Sequence, residues 1–507
     1  MEGIKIKSCF IFNTALKSPK AKPTDDESQD AKLLFYYPQD EELLIKRSNI
    51  GIIEGTLSFM SSFQKTNTQF LLTELNKFYY VANNYESDFI VVFILEKSTP
   101  MFNYYQNIET KKYLLKSFLD NYYNTFILFH NSLTNFFLSP NTPHIALETQ
   151  PKNKMSAFLD FTVSYMSLFE NMKIPLNENV IYFPIRDETQ SNILLAVQRL
   201  NEKIPDMVMS AIVYKGHIIH NQLPLGSFSI LYNVFYNVFN NKIRYNKFKQ
   251  PQHEVIQSIN INSSSSTSNA NDKQNDNHHN TNSHMFYSNE INNNDTYLFN
   301  NESPFSKAFE LIPNHNDFLI GIQKGSGNNY NVFIPSIYIR ELNSSFKLLV
   351  YHYNGMNIFM CLKESFNIHN QLTSTLVNVS KWVEKYFVES IFEELEHVFE
   401  WRTTRTDNLM YIYLNNANKS LKISKQFYNK KDMDIEIERI DLIQRIFLFH
   451  KDVEMTSLSK YKGCYIYYLN SCERNLVILF GDSMSIGQVM KNVENAKNTT
   501  FDSIYMI

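Results

Sequence analysis

The residue types that usually carry chemistry are present, but they are poorly grouped. Gly325, Ser326 and Gly327 form the densest glycine cluster, yet no Lys-Ser or Lys-Thr pair follows, so it is not a phosphate-cradling loop. No serine sits in a Gly-X-Ser-X-Gly elbow, and neither a His-Glu-X-X-His metal motif nor a kinase signature set occurs. His217 and His220 flank a hairpin and read as surface histidines. Glu393, Glu394 and Glu396 are spaced to point to different faces of a helix, which argues against a paired-carboxylate site. His278, His279 and His284 fall in a polar low-complexity stretch with no scaffold to order them as metal ligands. Cys9, Cys361, Cys464 and Cys472 lie far apart, without the CXXC pairs of a zinc site or the density of a disulfide framework, and point to a reducing compartment. Trp382 and Trp401 read as core packing before interface anchors. The expectation is therefore a chain with no catalytic residues, no metal and no cofactor, whose work is binding or assembly. An enzyme with a dispersed active site stays open as an alternative.

The bulk composition fits that expectation. The chain has 507 residues, enough for about three domains. Forty Phe and 31 Tyr against 12 Gly favour sheets and a large partner surface. Forty-eight basic and 51 acidic residues leave a net charge of −3, so no bulk field draws the chain to nucleic acid or an anionic membrane. The apolar run from Cys9 to Leu16 is interrupted by Asn13 and Thr14 and reads as a strand, not a signal peptide. Dense apolar runs such as Phe89 to Leu95 are too short to span a bilayer, so any membrane contact is peripheral.

The elements that would position a binding surface recur along the chain. Residues 4–16 and 31–38 read as strands separated by a polar loop from Lys17 to Asp30. A helix follows, with Ile50, Ile53, Leu57 and Met60 on one face. Phe78 to Val81 and Phe89 to Leu95 are strands. Two helices carry the stripes Leu115, Phe118, Tyr122, Phe126, Phe129 and Met155, Phe158, Tyr165, Phe169. A second unit opens with a hairpin, Met207 to Tyr214 and His217 to Leu223, turning at Lys215-Gly216. It continues with a helix from about Ser227 to Asn240, strands at 317–323, 331–340, 346–353 and 356–362, and a helix near 367–398. A third unit has strands at 409–415 and 420–428, a helix near 437–450 with Ile440, Ile443 and Phe447, a hairpin from Tyr465 to Leu469 and Leu476 to Phe480, and a helix near 485–497. From Asn262 to His284 the only apolar residue is Ala270, so 250–304 reads as a disordered Asn/Ser-rich insert. The expected fold class is α+β, three units at 1–175, 205–400 and 405–507 with a connector at 176–204. Each unit is an antiparallel sheet with helices packed on its faces.

An ordered set of motifs resembles a known family. Phe10-Ile11-Phe12-Asn13, then Leu33-Leu34-Phe35-Tyr36-Tyr37-Pro38, then Arg47-Ser48-Asn49-Ile50-Gly51-Ile52-Ile53-Glu54 resemble the opening of the calcium-caffeine-zinc-sensitivity vacuolar fusion family. Tyr182-Phe183-Pro184, Ser210 to Tyr214 with Gly216, Leu476 to Phe480 and Phe501 to Ile507 correspond in order and type. The resemblance is dense over residues 9–55. Tyr37 stands where the family usually has His, and the insert is longer than the corresponding loop.

That resemblance implies three longin domains and a heterodimer with a second three-longin-domain subunit. The pair would be a guanine-nucleotide exchange factor for a late-endosomal Rab GTPase, without covalent chemistry. It would serve endosome maturation, lysosome or vacuole fusion and autophagosome fusion, as a cytoplasmic complex recruited peripherally to those membranes. The alternative is a longin adaptor or tether in vesicle traffic without exchange activity. The surface candidates are the strand residues Phe35, Tyr36 and Tyr37 and the helix residues Asn49, Ile50 and Glu54. Asn49 and Glu54 are expected to face solvent.

Overall fold

The computed structural model describes residues 5–63, 70–98 except 87, 108–138, 155–156, 158–159, 187–245, 317–366 except 320, 325–329 and 354, 381–385, 391–397, 410–423 except 416–419, and 455–499 except 462–463, 472–473 and 482–483. The expected insert at 250–304, the helix near 437–450, Tyr165, Phe169, Tyr182 to Pro184, Trp401 and the segment 501–507 lie outside the described residues.

The fold is α+β and built on antiparallel sheets. The first contains β1 (Ile6–Asn13), β2 (Leu33–Tyr37), β3 (Phe70–Leu75), β4 (Phe78–Glu86) and β5 (Phe89–Glu96), in the order β2-β1-β5-β4-β3. Among the described residues this unit carries α1 (Asp25–Lys32), α2 (Leu43–Phe63) and α3 (Ile108–His130); a short α4 (Leu133–Phe137) follows, and residues 155–156 and 158–159 are also helical. Both faces of the sheet are covered, which is why β1 from Cys9 to Phe12 and β5 from Phe89 to Leu95 are continuously apolar instead of alternating. Phe10, Phe12, Val92 and Ile94 face α2, while Cys9, Ile11, Val91 and Phe93 face α3.

The second sheet repeats the plan. It comprises β6 (Met207–Tyr214), β7 (His217–Asn221), β11 (Ser336–Ile339), β12 (Ser344–Tyr353) and β13 (Met356–Lys363), in the order β7-β6-β13-β12-β11. A short β8 (Asp317–Leu319) also pairs with β12, and β9 (Gly321–Lys324) with β10 (Tyr330–Phe333) forms a separate ribbon. The expected hairpin turn is present, with Lys215 and Gly216 both at positive φ, as a two-residue turn between twisted strands requires. The helix α6 (Leu225–Tyr245) packs on one face of this sheet. On the other lie α5 (Asp187–Lys203) and the helical segments 381–385 and 391–397.

The third sheet holds β14 (Met410–Asn415), β15 (Ser420–Ile423), β16 (Met455–Tyr461), β17 (Cys464–Ser471) and β18 (Arg474–Gly481), in the order β15-β14-β18-β17-β16. Val489, Val493 and Ala496 of α7 (Ile486–Thr499) pack on Tyr411, Tyr413 and Ile478. With β8, β9 and β10 of the second unit set aside and the remaining strands numbered within each unit, all three sheets run second, first, fifth, fourth, third.

The polar loop expected from Lys17 to Asp30 is corrected in its second half. Thr24 accepts from the backbone N–H of Glu27 at 3.2 Å, while the Glu27 carboxylate accepts from the N–H of Thr24 at 3.1 Å. That reciprocal cap starts α1, with Asp25 and Asp26 favourably placed in its first turn. Within the stretch expected as a connector, α5 buries Ile193, Val197 and Leu200 against Tyr351 and Ile358 of the second sheet.

Candidate functional site

The helix α2 carries the surface most suited to a partner. Its inward stripe, Ile50 and Ile53 with Leu57 and Met60, packs on Phe10, Phe12, Val92 and Ile94. Burying each isoleucine contributes about 1.5–3 kcal/mol. That stripe would satisfy a surface helix, but α2 is apolar on its outward face as well. Leu44 is 67% exposed and Phe59 65% exposed, and Leu43, Ile45 and Ile52 are also exposed. At 100° per residue, Leu44, Ser48, Gly51, Ile52, Gly55, Phe59 and Ser62 fall within one arc opposite Ile50. No charge lies in that arc.

Gly51 and Gly55 sharpen the point. A Cβ built at either position would meet nothing within 4 Å, so no packing among the described residues calls for glycine there. Each costs the helix about 1 kcal/mol relative to alanine. Four residues apart on one exposed face, they leave the backbone open to close approach from outside.

One flank of α2 is bordered by α1 through charges. Arg47 forks onto Asp30 with Nε at 2.8 Å and Nη2 at 2.5 Å, and its Nη1 donates to Asp26 at 2.6 Å. Lys32 donates to Glu54 at 2.7 Å and Gln29 to the same carboxylate at 3.1 Å. The Arg47 guanidinium holds the Asp30 carboxyl below its ordinary range. No side chain of α1 is buried, so these polar contacts are what fix it to α2.

The six sequence candidates fall in different places. Phe35 is buried on the α3 side of the first sheet, and Tyr36 and Ile50 on the α2 side. Tyr37 is half-buried and enters a cis bond to Pro38. Asn49, expected at the surface, is buried: its Nδ2 donates to the hydroxyl of Tyr36 at 2.8 Å. Glu54, also expected to face solvent, is half-buried and ion-paired with Lys32. The stripe of Ile50 and Ile53 points one flank of α2 at β2 and the other at α1, and these two polar residues sit on those flanks. Leu44, Ile52, Gly51 and Gly55 were not singled out from sequence. The signal was available: α2 holds more apolar residues than one stripe can use.

The other chemical groups do not converge. Glu394 accepts from the Thr189 hydroxyl, whereas Glu396 pairs with Lys215 at 3.7 Å. His217 and His220 are half-buried, and burial lowers the pKa of both. Cys9 and Cys361 are buried, and burial raises both thiols, Cys361 to about 12. Among the described residues no three His, Cys, Asp or Glu side chains gather as a metal ligand set. No helix among them is long and apolar enough to cross a membrane.

The family comparison falls on this same unit. Residues 7–131 match the family described as the first longin domain of INTU, CCZ1 and HPS4. The chain is also similar to the vacuolar fusion protein CCZ1 homologues of Tetraodon nigroviridis, at 25% identity, and Xenopus laevis, at 23%. Each match runs over 233 residues, 44% of this chain and 46% of the relative. The chain thus spans about half the length of the curated relatives it matches. These findings bear out the resemblance to the vacuolar fusion family read from the ordered motifs.

Proposed function

With residues 7–131 assigned to the longin family of INTU, CCZ1 and HPS4, we propose that this chain is one subunit of a heterodimeric guanine-nucleotide exchange factor for a late-endosomal Rab GTPase. Its partner is a second three-longin-domain protein, and the complex acts on endosome maturation, vacuole or lysosome fusion and autophagosome fusion. The observation that carries the reading is the exposed, uncharged, glycine-bearing face of α2. Such a face in a folded chain marks an interaction site more than solvent contact. The shared strand order supports reading the second and third sheets as longin domains too. The names of the relatives support a role in fusion at the vacuole, to which the complex is recruited peripherally.

Exchange needs no nucleophile. A GTPase holds its nucleotide and Mg²⁺ through ordered switch segments. A surface that binds the nucleotide-free form better than the loaded form weakens nucleotide affinity by the same factor, through linkage. The α2 face supplies assembly in this scheme, and the assembled pair supplies the surface for the GTPase. The test mixes the chain with its longin partner and follows release of a fluorescent nucleotide from a panel of Rab proteins. Assembly without faster release on any of them would turn the reading to a non-exchanging adaptor.

A further inference from the structure

The helix α3 has one stripe for its own sheet and buries more than that stripe. Leu115, Phe118, Leu119, Tyr122 and Phe126 face the first sheet, where Phe93 meets the rings of Phe118 and Tyr122 edge-on at 5.0 and 4.9 Å. Tyr123, Ile127 and Leu128 lie off that stripe by helical spacing, yet each is at least nine-tenths buried. Tyr123 stacks one face on Tyr85 of β4 at 3.9 Å, and the rest of this side of α3 is met by the second unit. The contacts of α3 run to α6 and β11, and buried residues of both sheets join in one apolar cluster. A cavity of about 170 Å³ lies along this seam, walled by Asn124 and Leu128 on one side and Ser227, Ile230 and Tyr338 on the other.

A polar chain crosses the seam at its edge. Arg340, in the turn between β11 and β12, sits with its guanidinium 5.4 Å from the centroid of the Tyr123 ring. The Tyr123 hydroxyl donates to Glu86 at 2.9 Å. The same carboxylate accepts from the backbone N–H of Leu133 at 2.7 Å and of Thr134 at 2.9 Å, fixing the start of α4. Arg340 of the second unit therefore bears on a ring that the first unit already holds rigidly.

We propose that α3 is a shared core helix joining the first and second sheets into one cooperative body, and that Arg340 on Tyr123 is the latch that keeps the seam closed. Two consequences follow. The α3 side of the first unit is closed to partners, so α2, on the opposite face of its sheet, is the helix it presents. That face is also held in a fixed orientation to the second unit.

Thiol labelling of the full chain tests this, with labelled positions separated by peptide mass. Leu128→Cys places a thiol that reacts only when the seam opens. Leu119→Cys places one that reacts only when the first unit unfolds. Leu128→Cys should be protected, and adding Arg340→Ala should speed its labelling roughly tenfold, the scale of a lost, partly desolvated cation–π contact. The same change should leave Leu119→Cys untouched, and Arg340→Lys, which keeps a cation over the ring, should restore most of the protection. Ile127→Cys serves as a second reporter should Leu128→Cys disturb the fold. Prompt labelling in the otherwise unaltered chain, no response to Arg340→Ala, or equal acceleration at Leu119→Cys would each overturn the latch.

Discussion

The side-chain amide of Asn49 donates to the hydroxyl of Tyr36 at 2.8 Å inside the core between α2 and the first sheet. It is a polar pin in an apolar layer: Tyr36 also stacks on Phe10 at 5.3 Å, and burial raises its own pKa. Tyr36→Phe keeps the ring but strands the Asn49 donor, which should cost about 1–3 kcal/mol. Adding Asn49→Leu removes the stranded donor and should recover part of that loss. Urea denaturation of the two single variants and the double variant measures the coupling. Strict additivity would show that the two groups do not depend on each other.

The attachment of α1 should be sensitive to acid and to salt. The folded Asp30 carboxyl has a lowered pKa, caused chiefly by its hydrogen bonds to Arg47. A lowered folded value means the contribution is fully present above the ordinary carboxylate pKa and is lost as pH falls through the folded one. Limited proteolysis within residues 25–32 should therefore accelerate below about pH 4, and in about 1 M salt at neutral pH. Arg47→Gln should show the same cleavage at neutral pH without added salt. Equal resistance in all these conditions would mean that α1 is held by something other than its charges.

How much of this was legible in the sequence depended on range. The Lys215-Gly216 turn marked the β6–β7 hairpin, and hydrophobic period found α2 and α3, because each buries a stripe that repeats locally. It missed α1, which buries nothing and announces itself only by the Thr24–Glu27 capping box. It missed β3, whose residues are mostly half-buried or exposed, and β16, whose described side chains are likewise half-buried or exposed. Burial of Asn49 and the ion pair of Glu54 depend on which element lies beside each flank of α2, and no local pattern records that. The common strand order of the sheets is set by pairings such as Ile11 with Val91 and Tyr411 with Ile478, across more than 60 residues each.

A cap made at long range gives a further expectation. Glu341 accepts from the backbone N–H of Ser227 at 2.9 Å and from its hydroxyl, so a carboxylate from the β11–β12 turn closes the N-terminus of α6. A Cβ at position 226 would collide with Glu341 Oε1. Gly226→Ala and Glu341→Ala should each cost roughly 0.5–2 kcal/mol, the worth of an N-cap. The double variant should cost little more than either alone, since both remove one contact. Thermal melts of the set decide it.

The glycines of α2 should separate folding from assembly. Gly51→Ala and Gly55→Ala meet no neighbour and raise helix propensity, so each should stabilise the isolated chain by about 0.5–1 kcal/mol. The same substitutions add a methyl to the proposed contact face and should weaken pairing with the second subunit. Titration by calorimetry alongside thermal melts reads both effects. Stabilisation with undiminished pairing would move the interface off this part of α2.

The central claim is that α2 pairs this chain with a second longin subunit to make an exchange surface, and nucleotide release tests it most directly. Release of fluorescent nucleotide from a late-endosomal Rab is followed with each subunit alone, with both, and with both when this chain carries Leu44→Asp and Ile52→Asp. The two positions are exposed, so the variant should keep the melting temperature of the parent chain. The account predicts acceleration only by the unaltered pair, with the variant folded but unable to assemble or to speed release. Full acceleration by this chain alone, none by the pair on any Rab, or full activity of the doubly substituted pair would contradict it.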